Sequence, residues 1–223
     1  MSRILVLTGV EVEARGLARH LGLERVATTG SPGYRGGHLE IACTGPAAAR
    51  LGEPAEGPLP DLVVSAGACG ALDPALGVGA LVVPEAVLAE GRREPLDPLR
   101  GLPAAGTLLS VTAVVDSAAA KARLWMQTGA SSVDMESGPI VAWARRRGIR
   151  VAVVRGVSDT AAEAVPADLA GLVEPSGRVR TTSALRAVLA RPRAVSDALT
   201  LGRGTAAALK AVAAALARIE SRA

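Results

Sequence analysis

Residues 61–84 read DLVVSAGACGALDPALGVGALVVP, and the first six of them decide the fold. The run Asp61–Ala66 is continuously apolar in character and stops at Gly67. A strand without a polar face is covered on both sides, which is the position of a central strand in an α/β sheet. The Gly-rich stretch after it reads as a turn leading to a second strand at Ala80–Val83. Outward from this pair the chain alternates. Ile4–Thr8 and His38–Thr44 are strands on the N-terminal side, Leu108–Ala113 and Arg150–Ser158 on the C-terminal side. Helices are predicted at Ala118–Gln127, Pro139–Arg147, Ala184–Ala190 and Ala194–Arg218. Residues 91–106, with their Gly, Pro and charges, read as a loop. Strands alternating with helices predict a three-layer α/β/α architecture around a mixed, largely parallel sheet. Without repeat, linker or composition break, residues 1–223 are expected to form a single domain.

Composition narrows the function classes. The chain has 223 residues, 49% of them apolar, enough for a well-buried core. A net charge of +4, no phenylalanine and a single tyrosine, Tyr34, leave few base-stacking platforms, so nucleic acid is not an expected partner. Cys43 and Cys69 are too few for a disulfide framework and lack CxxC spacing; their apolar or Gly-rich surroundings suggest small core residues in a reducing compartment. His20 and His38 offer no metal-ligand cluster, and no metal or cofactor is expected. The N-terminal apolar run is short and breaks at Glu11, as a strand does and a signal peptide does not. No run reaches the length of a membrane span, and the expected location is cytoplasmic.

In a parallel sheet, ligands gather beyond the carboxyl ends of the strands. Three places qualify: Glu11 and Glu13 after the first strand, Gly67 and Gly70 after the 61–66 strand, and Asp159 after VAVVRGVS. Arg155 interrupts that last strand, which is costly unless it is paired. Its candidate partners lie in SSVDMESGPI, residues 131–140, where Asp134 and Glu136 flank Met135. On a strand both carboxylates would share one face and, if buried, would need a cation or a donor. The plain alternatives are a strand end entering water for the 134/136 pair and a helix cap or turn for Asp159.

Three motifs in order, VVSAGACGALDPALGVGALVVP, VDMES and VVRGVSDTA, after an N-terminal LVLTGVEVEA, resemble the nucleoside phosphorylase superfamily. The branch is the one containing methylthioadenosine/S-adenosylhomocysteine nucleosidase and futalosine hydrolase. The tail from residue 165 looks most like the hopanoid-associated phosphorylases. The resemblance implies the phosphorylase/hydrolase-like α/β/α fold and cleavage of a purine nucleoside at its N-glycosidic bond, through an oxocarbenium-like state. It casts Glu136 as the acceptor of the ribose hydroxyls and Met135 as the residue packing on the sugar. A carboxylate there also favours a developing cation. Asp159 becomes the donor to purine N7, a role that requires it protonated in the complex. Glu13 becomes the base that activates water; Glu11, ~200° around the helix, is not expected to serve the same water. Arg155 would orient Asp134 or Glu136, while Gly67, Ala68 and Gly70 bring backbone close to sugar or nucleophile. Thr44, Val114, Val115 and Ser158 complete the implied substrate-binding set. Val114 stands where relatives carry a base-stacking aromatic and can pack without stacking.

The departures favour water as nucleophile. Where phosphorylases of this superfamily hold phosphate with an arginine and a serine, this chain has Ser65 and Ala68, and the N-terminal phosphate loop is replaced by TGVEVEA. The alternatives are a phosphorylase with inorganic phosphate as co-substrate, and a non-catalytic nucleoside-binding protein on the same fold. The expected partners are a small nucleoside or an adenosyl-lipid and other copies of the chain as a homo-oligomer. Between Pro175 and Ser196 stand five arginines, Arg178, Arg180, Arg186, Arg191 and Arg193, and no acid. They read as a solvated basic face or as a contact with anionic headgroups, a peripheral membrane role suited to collecting a lipid substrate.

Overall fold

The computed structural model describes residues 3–26, 33–52, 59–165 and 194–220, with side chains in the last segment from 200 to 219. Eleven strands build one sheet: β1 (Ile4–Thr8), β2 (Glu24–Val26), β3 (Gly33–Gly36), β4 (Leu39–Cys43), β5 (Leu62–Ala71), β6 (Leu81–Val82), β7 (Ala86–Ala89), β8 (Arg92–Pro95), β9 (Thr107–Ser110), β10 (Ser132–Asp134) and β11 (Arg150–Asp159). The helices are α1 (Glu11–Leu21), α2 (Ala118–Thr128), α3 (Ser137–Arg146) and α4 (Ala194–Glu220). The strand order is β2-β3-β4-β1-β5-β10-β9-β7-β8, with β11 beside β5 and β6 beside β11. The centre, β4-β1-β5-β11, is parallel, and the β5–β10 pairing and the outer hairpins are antiparallel. The sheet is mixed, as expected.

Consecutive residues of the central strands serve opposite layers. Val64 and Val154 pack with Leu17 of α1 and Leu209, Val212 and Leu216 of α4. Their neighbours Val63 and Val153 pack with Ile140 and Trp143 of α3. Period-two alternation in a strand with no polar face therefore puts an apolar layer on each side, and a helical layer covers each. The packing of α4 on β11 is close enough to require glycine at 156, where a Cβ would run into the backbone of Ala208.

The structure corrects several element expectations. The strand at 61–66 does not end at Gly67 but runs to Ala71 through GACGA. Residues 91–106 are not all loop: β8 pairs antiparallel with β7, and Leu99 bridges Leu102. The strand at 108–113 is shorter, Thr107–Ser110, and α3 begins at Ser137, ahead of Pro139. The helix expected at Ala184–Ala190 and the arginines 178–193 lie outside the described residues.

The long β5 makes room for a site. Its first half pairs with β1 up to Ser65, and its end pairs with β10 at Gly70 and Ala71. Between them, residues 66–69 keep β11 on one edge and have no ladder partner on the other. The chain segments leaving β1 and β10, which carry Glu13 and Glu136, converge on that gap.

Candidate active site

Arg155 is the centre of a buried charge cluster. Its side chain is fully buried, and Nη2 lies 2.7 Å from Asp134 Oδ2 and 4.0 Å from Glu136 Oε2. The same nitrogen donates to Ser65 Oγ at 2.8 Å and Ser137 Oγ at 3.2 Å, and Nη1 donates to the Ala68 carbonyl at 3.4 Å. Burial alone would push the guanidinium down, but Asp134, Glu136 and Glu13 outweigh it and its pKa is raised. The arginine in the apolar strand is thus paired, as its cost requires.

Asp134 and Glu136 reach this cation by different routes. The strand ends at Asp134, which accepts from the Ser137 amide and, at 2.5 Å, from the Ser137 hydroxyl. Glu136 is not a strand residue sharing Asp134's face; it has helical φ and ψ and caps α3. Its Oε1 accepts from the Ala47 amide at 3.1 Å, and Ala47 and Ala48 both hold positive φ to present that N–H. A Cβ on Gly9 would sit 2.7 Å from the Glu136 Cδ, so only glycine leaves space for the carboxylate. Burial raises the Glu136 carboxyl to about 7, against the opposing pull of Arg155.

Glu13 comes from the first turn of α1. Its Oε2 accepts from the amides of Gly9 and Val10 at 3.2 and 3.3 Å, and its Oε1 from the Ala68 amide at 2.8 Å. Burial raises its pKa, with Arg155 and these three amides only partly offsetting. Gly67, at φ +148°, lets β5 pass this pair, since a Cβ there would lie 2.6 Å from Glu13 Oε1 and 2.8 Å from Arg155 Nη1. Glu11 turns outward to Arg15 at 2.6 Å, a helix-surface pair.

A cavity of about 230 Å³ opens beside the cluster. Of the residues expected to bind substrate, Ala68, Val114, Val115, Asp134, Met135, Glu136, Ser158 and Asp159 line it, along with Gly70. Glu13, Thr44, Gly67 and Arg155 stand outside its lining. Thr44 is committed to backbone, donating to the Thr8 carbonyl at 3.0 Å. The expected alternation of Arg155, Val157 and Asp159 is broken by a register shift between Val157 and Asp159. That bulge turns Asp159 into the cavity wall, where Ser158 Oγ donates to its Oδ1 at 2.6 Å. Asp159 is neither a helix cap nor free: Lys121 Nζ approaches its Oδ2 at 2.5 Å. Lys121, missed in the sequence, is the only lysine or arginine lining the cavity among the described residues. Among those residues no cluster of His, Cys, Asp and Glu is placed to hold a metal, and no helix is long and apolar enough to cross a membrane.

Comparison with known proteins adds an independent line. The family model described as Phosphorylase superfamily matches residues 103–190, which hold VDMES and VVRGVSDTA. The methylthioadenosine/S-adenosylhomocysteine nucleosidase of Neisseria meningitidis, solved with methylthio-immucillin-A, superposes with TM-score 0.71 at 17% identity, covering 100% of both chains. The futalosine hydrolase of Helicobacter pylori gives 0.68 at 14%, covering 100% of this chain and 98% of that one. The methylthioadenosine nucleosidase of Arabidopsis thaliana gives 0.64 at 17%, with 100% and 96% covered. This chain has the fold of these nucleosidases and of the futalosine hydrolase. No curated protein sequence matches it.

Within that nucleosidase fold the carboxylates sit where strand ends and the unpaired middle of β5 meet. Lys121 escaped the sequence reading because its signal, one lysine in an Ala-rich helix, is that of an ordinary surface cation. Its partner Asp159 is 38 positions away.

Proposed function

We propose that this chain is a nucleosidase: an enzyme that hydrolyses the N-glycosidic bond of a purine nucleoside of adenosyl type, with water as nucleophile. The observation that carries the reading is the charge inventory around the cavity. Glu136, Asp134 and, behind Ala68, Glu13 surround the nucleophile side, while the cations found there among the described residues, Arg155 and Lys121, are committed to carboxylates. A phosphate dianion placed there would meet repulsion without an available guanidinium, whereas water is compatible with every group.

The division of labour follows from geometry. Glu136 has one oxygen held by Ala47, which leaves the other to accept from a ribose hydroxyl and to stabilise positive charge developing at C1′. Glu13 uses three of a carboxylate's roughly four acceptor positions on amides, leaving one for a water above Ala68. Its raised pKa suits a base that must take a proton. Met135, Val114 and Val115 supply the apolar wall against sugar and base. Asp159, on the cavity wall, is the group that serves the departing base. The structural neighbours, nucleosidases and a futalosine hydrolase, support the same reaction class.

The tail's resemblance to hopanoid-associated phosphorylases, together with the arginines 178–193, supports an adenosyl-lipid as the substrate, met at an anionic membrane. Co-sedimentation with anionic liposomes that fades with salt and weakens when Arg186, Arg191 and Arg193 become Gln is the expected result; no binding at low salt removes the lipid part. For the reaction itself, a panel of adenosine derivatives and futalosine is incubated in phosphate-free buffer. Release of free base and free sugar is expected. Binding without cleavage would make the chain a nucleoside binder.

A further inference from the structure

Lys121 does not have the surroundings of a surface lysine. It sits in the first turns of α2 with a side chain 1% exposed. Its ammonium meets three acceptors: Asp159 Oδ2 at 2.5 Å, the Thr160 carbonyl at 2.7 Å and the Glu163 carbonyl at 2.8 Å. An ammonium has three protons, so every one of them is placed. The Glu163 carboxylate turns away to the Thr160 amide and hydroxyl at 2.7 and 3.0 Å. The other ionisable groups lining the cavity with Asp159 are Asp134, Glu136 and the Cys69 thiol on β5, which burial pushes up to about 12.

This arrangement alters the part assigned to Asp159. A carboxylate in an ion pair has no proton of its own for purine N7. The pair as a unit has one, because ammonium plus carboxylate holds the same protons as amine plus carboxylic acid. We propose that the buried Lys121–Asp159 pair, and not Asp159 alone, is the acid that assists departure of the base, with Lys121 as the positioning residue that supplies and retains the proton. The C1′–N9 bond breaks and its electron pair stays on the base. N7 takes a proton from the Asp159 carboxyl, which draws its own from Lys121 Nζ, and the pair is left as carboxylate and amine. Water adds to C1′ and loses a proton to Glu13, and exchange with solvent returns both groups to their starting states. The sum is nucleoside and water to free base and free sugar. The inference rests on the nucleosidase reading above.

The test compares Lys121→Met with the wild type on two substrates, an adenosine derivative and 4-nitrophenyl riboside, whose nitrophenolate departs without a proton. At about pH 8 the variant should lose ~10²-fold on the purine nucleoside, the lower end of what general acid catalysis contributes, and no more than about threefold on the nitrophenyl substrate. The ratio of variant to wild-type rate on the purine nucleoside should then rise as pH is lowered from about 8 to roughly 5.5, as solvent protons replace the one that Lys121 no longer supplies. Taking the ratio cancels the titration of Glu13 and Glu136, common to both proteins. Lys121→Gln, which keeps N–H donors for the Thr160 and Glu163 carbonyls, must show the same two signatures and serves where Met unfolds the chain. Equal losses on both substrates with a flat ratio would reduce Lys121 to packing and overturn this inference alone. A wild type that cleaves neither substrate overturns the nucleosidase reading and this one with it.

Discussion

Replacing Glu136 by Gln should make the protein more stable at alkaline pH while impairing its site. The folded chain raises this carboxyl from 4.5 to about 7, chiefly by burial, so folding favours its neutral form. Because the folded value lies above the unfolded one, the group's stabilising contribution is complete below about pH 4.5 and is lost as pH climbs through about 7. A window of about two and a half pH units at roughly 1.4 kcal/mol each amounts to ~3 kcal/mol. The amide is isosteric and keeps the bond from Ala47, and Arg155 retains Asp134 at 2.7 Å. At about pH 8 the variant should therefore gain up to ~3 kcal/mol, roughly 6–12 °C in Tm for a domain of this size, and near pH 4.5 it should gain nothing. Calorimetric scans or urea titrations of both proteins across that range read the difference. A gain that is the same at every pH, or a variant less stable than wild type at pH 8, would refute the reasoning that a buried, ionised Glu136 strains the fold.

Other substitutions probe the neighbouring groups. Arg155→Met leaves Asp134 buried without its cation and should cost about 3–5 kcal/mol in urea unfolding; a loss below ~1 kcal/mol would mean the cluster is not held by this ion pair. Asp159→Asn should lower kcat for purine nucleosides by ~10²–10⁴ while binding stays within a few-fold, measured by single-turnover kinetics and calorimetric titration. Near-normal turnover would remove Asp159 from the chemistry. Gly9→Ala pushes a methyl against Glu136 and should weaken nucleoside binding about tenfold, ~1.4 kcal/mol, with unchanged binding arguing that Glu136 does not hold the sugar.

The central sheet was legible because β1 and the first halves of β5 and β11 are apolar runs, as strands buried on both faces require. What hid the rest was local chemistry serving distant partners. Gly67 and Gly70 read as turn residues, yet they extend β5, their missing side chains making room for Glu13, Arg155 and Asp159. β8 is an exposed edge strand whose Arg92, Arg93, Glu94 and Pro95 look like loop. Arg155 announced a buried pair by its cost alone, and the carboxylates 134 and 136 were its natural candidates. Their different backbone routes were not readable, because the strand-to-helix change falls between them. Thr44 lies outside the cavity lining with its hydroxyl on the Thr8 carbonyl, and Lys121 became significant only once α2 met the end of β11.

The most direct measurement of the central claim is product analysis after incubating the purified protein with an adenosyl nucleoside in buffer stripped of phosphate. Free base and free sugar should appear in equal amounts, at a rate that added phosphate does not raise, and Glu13→Gln should abolish them. Base release that requires added phosphate and yields a sugar 1-phosphate would contradict the account.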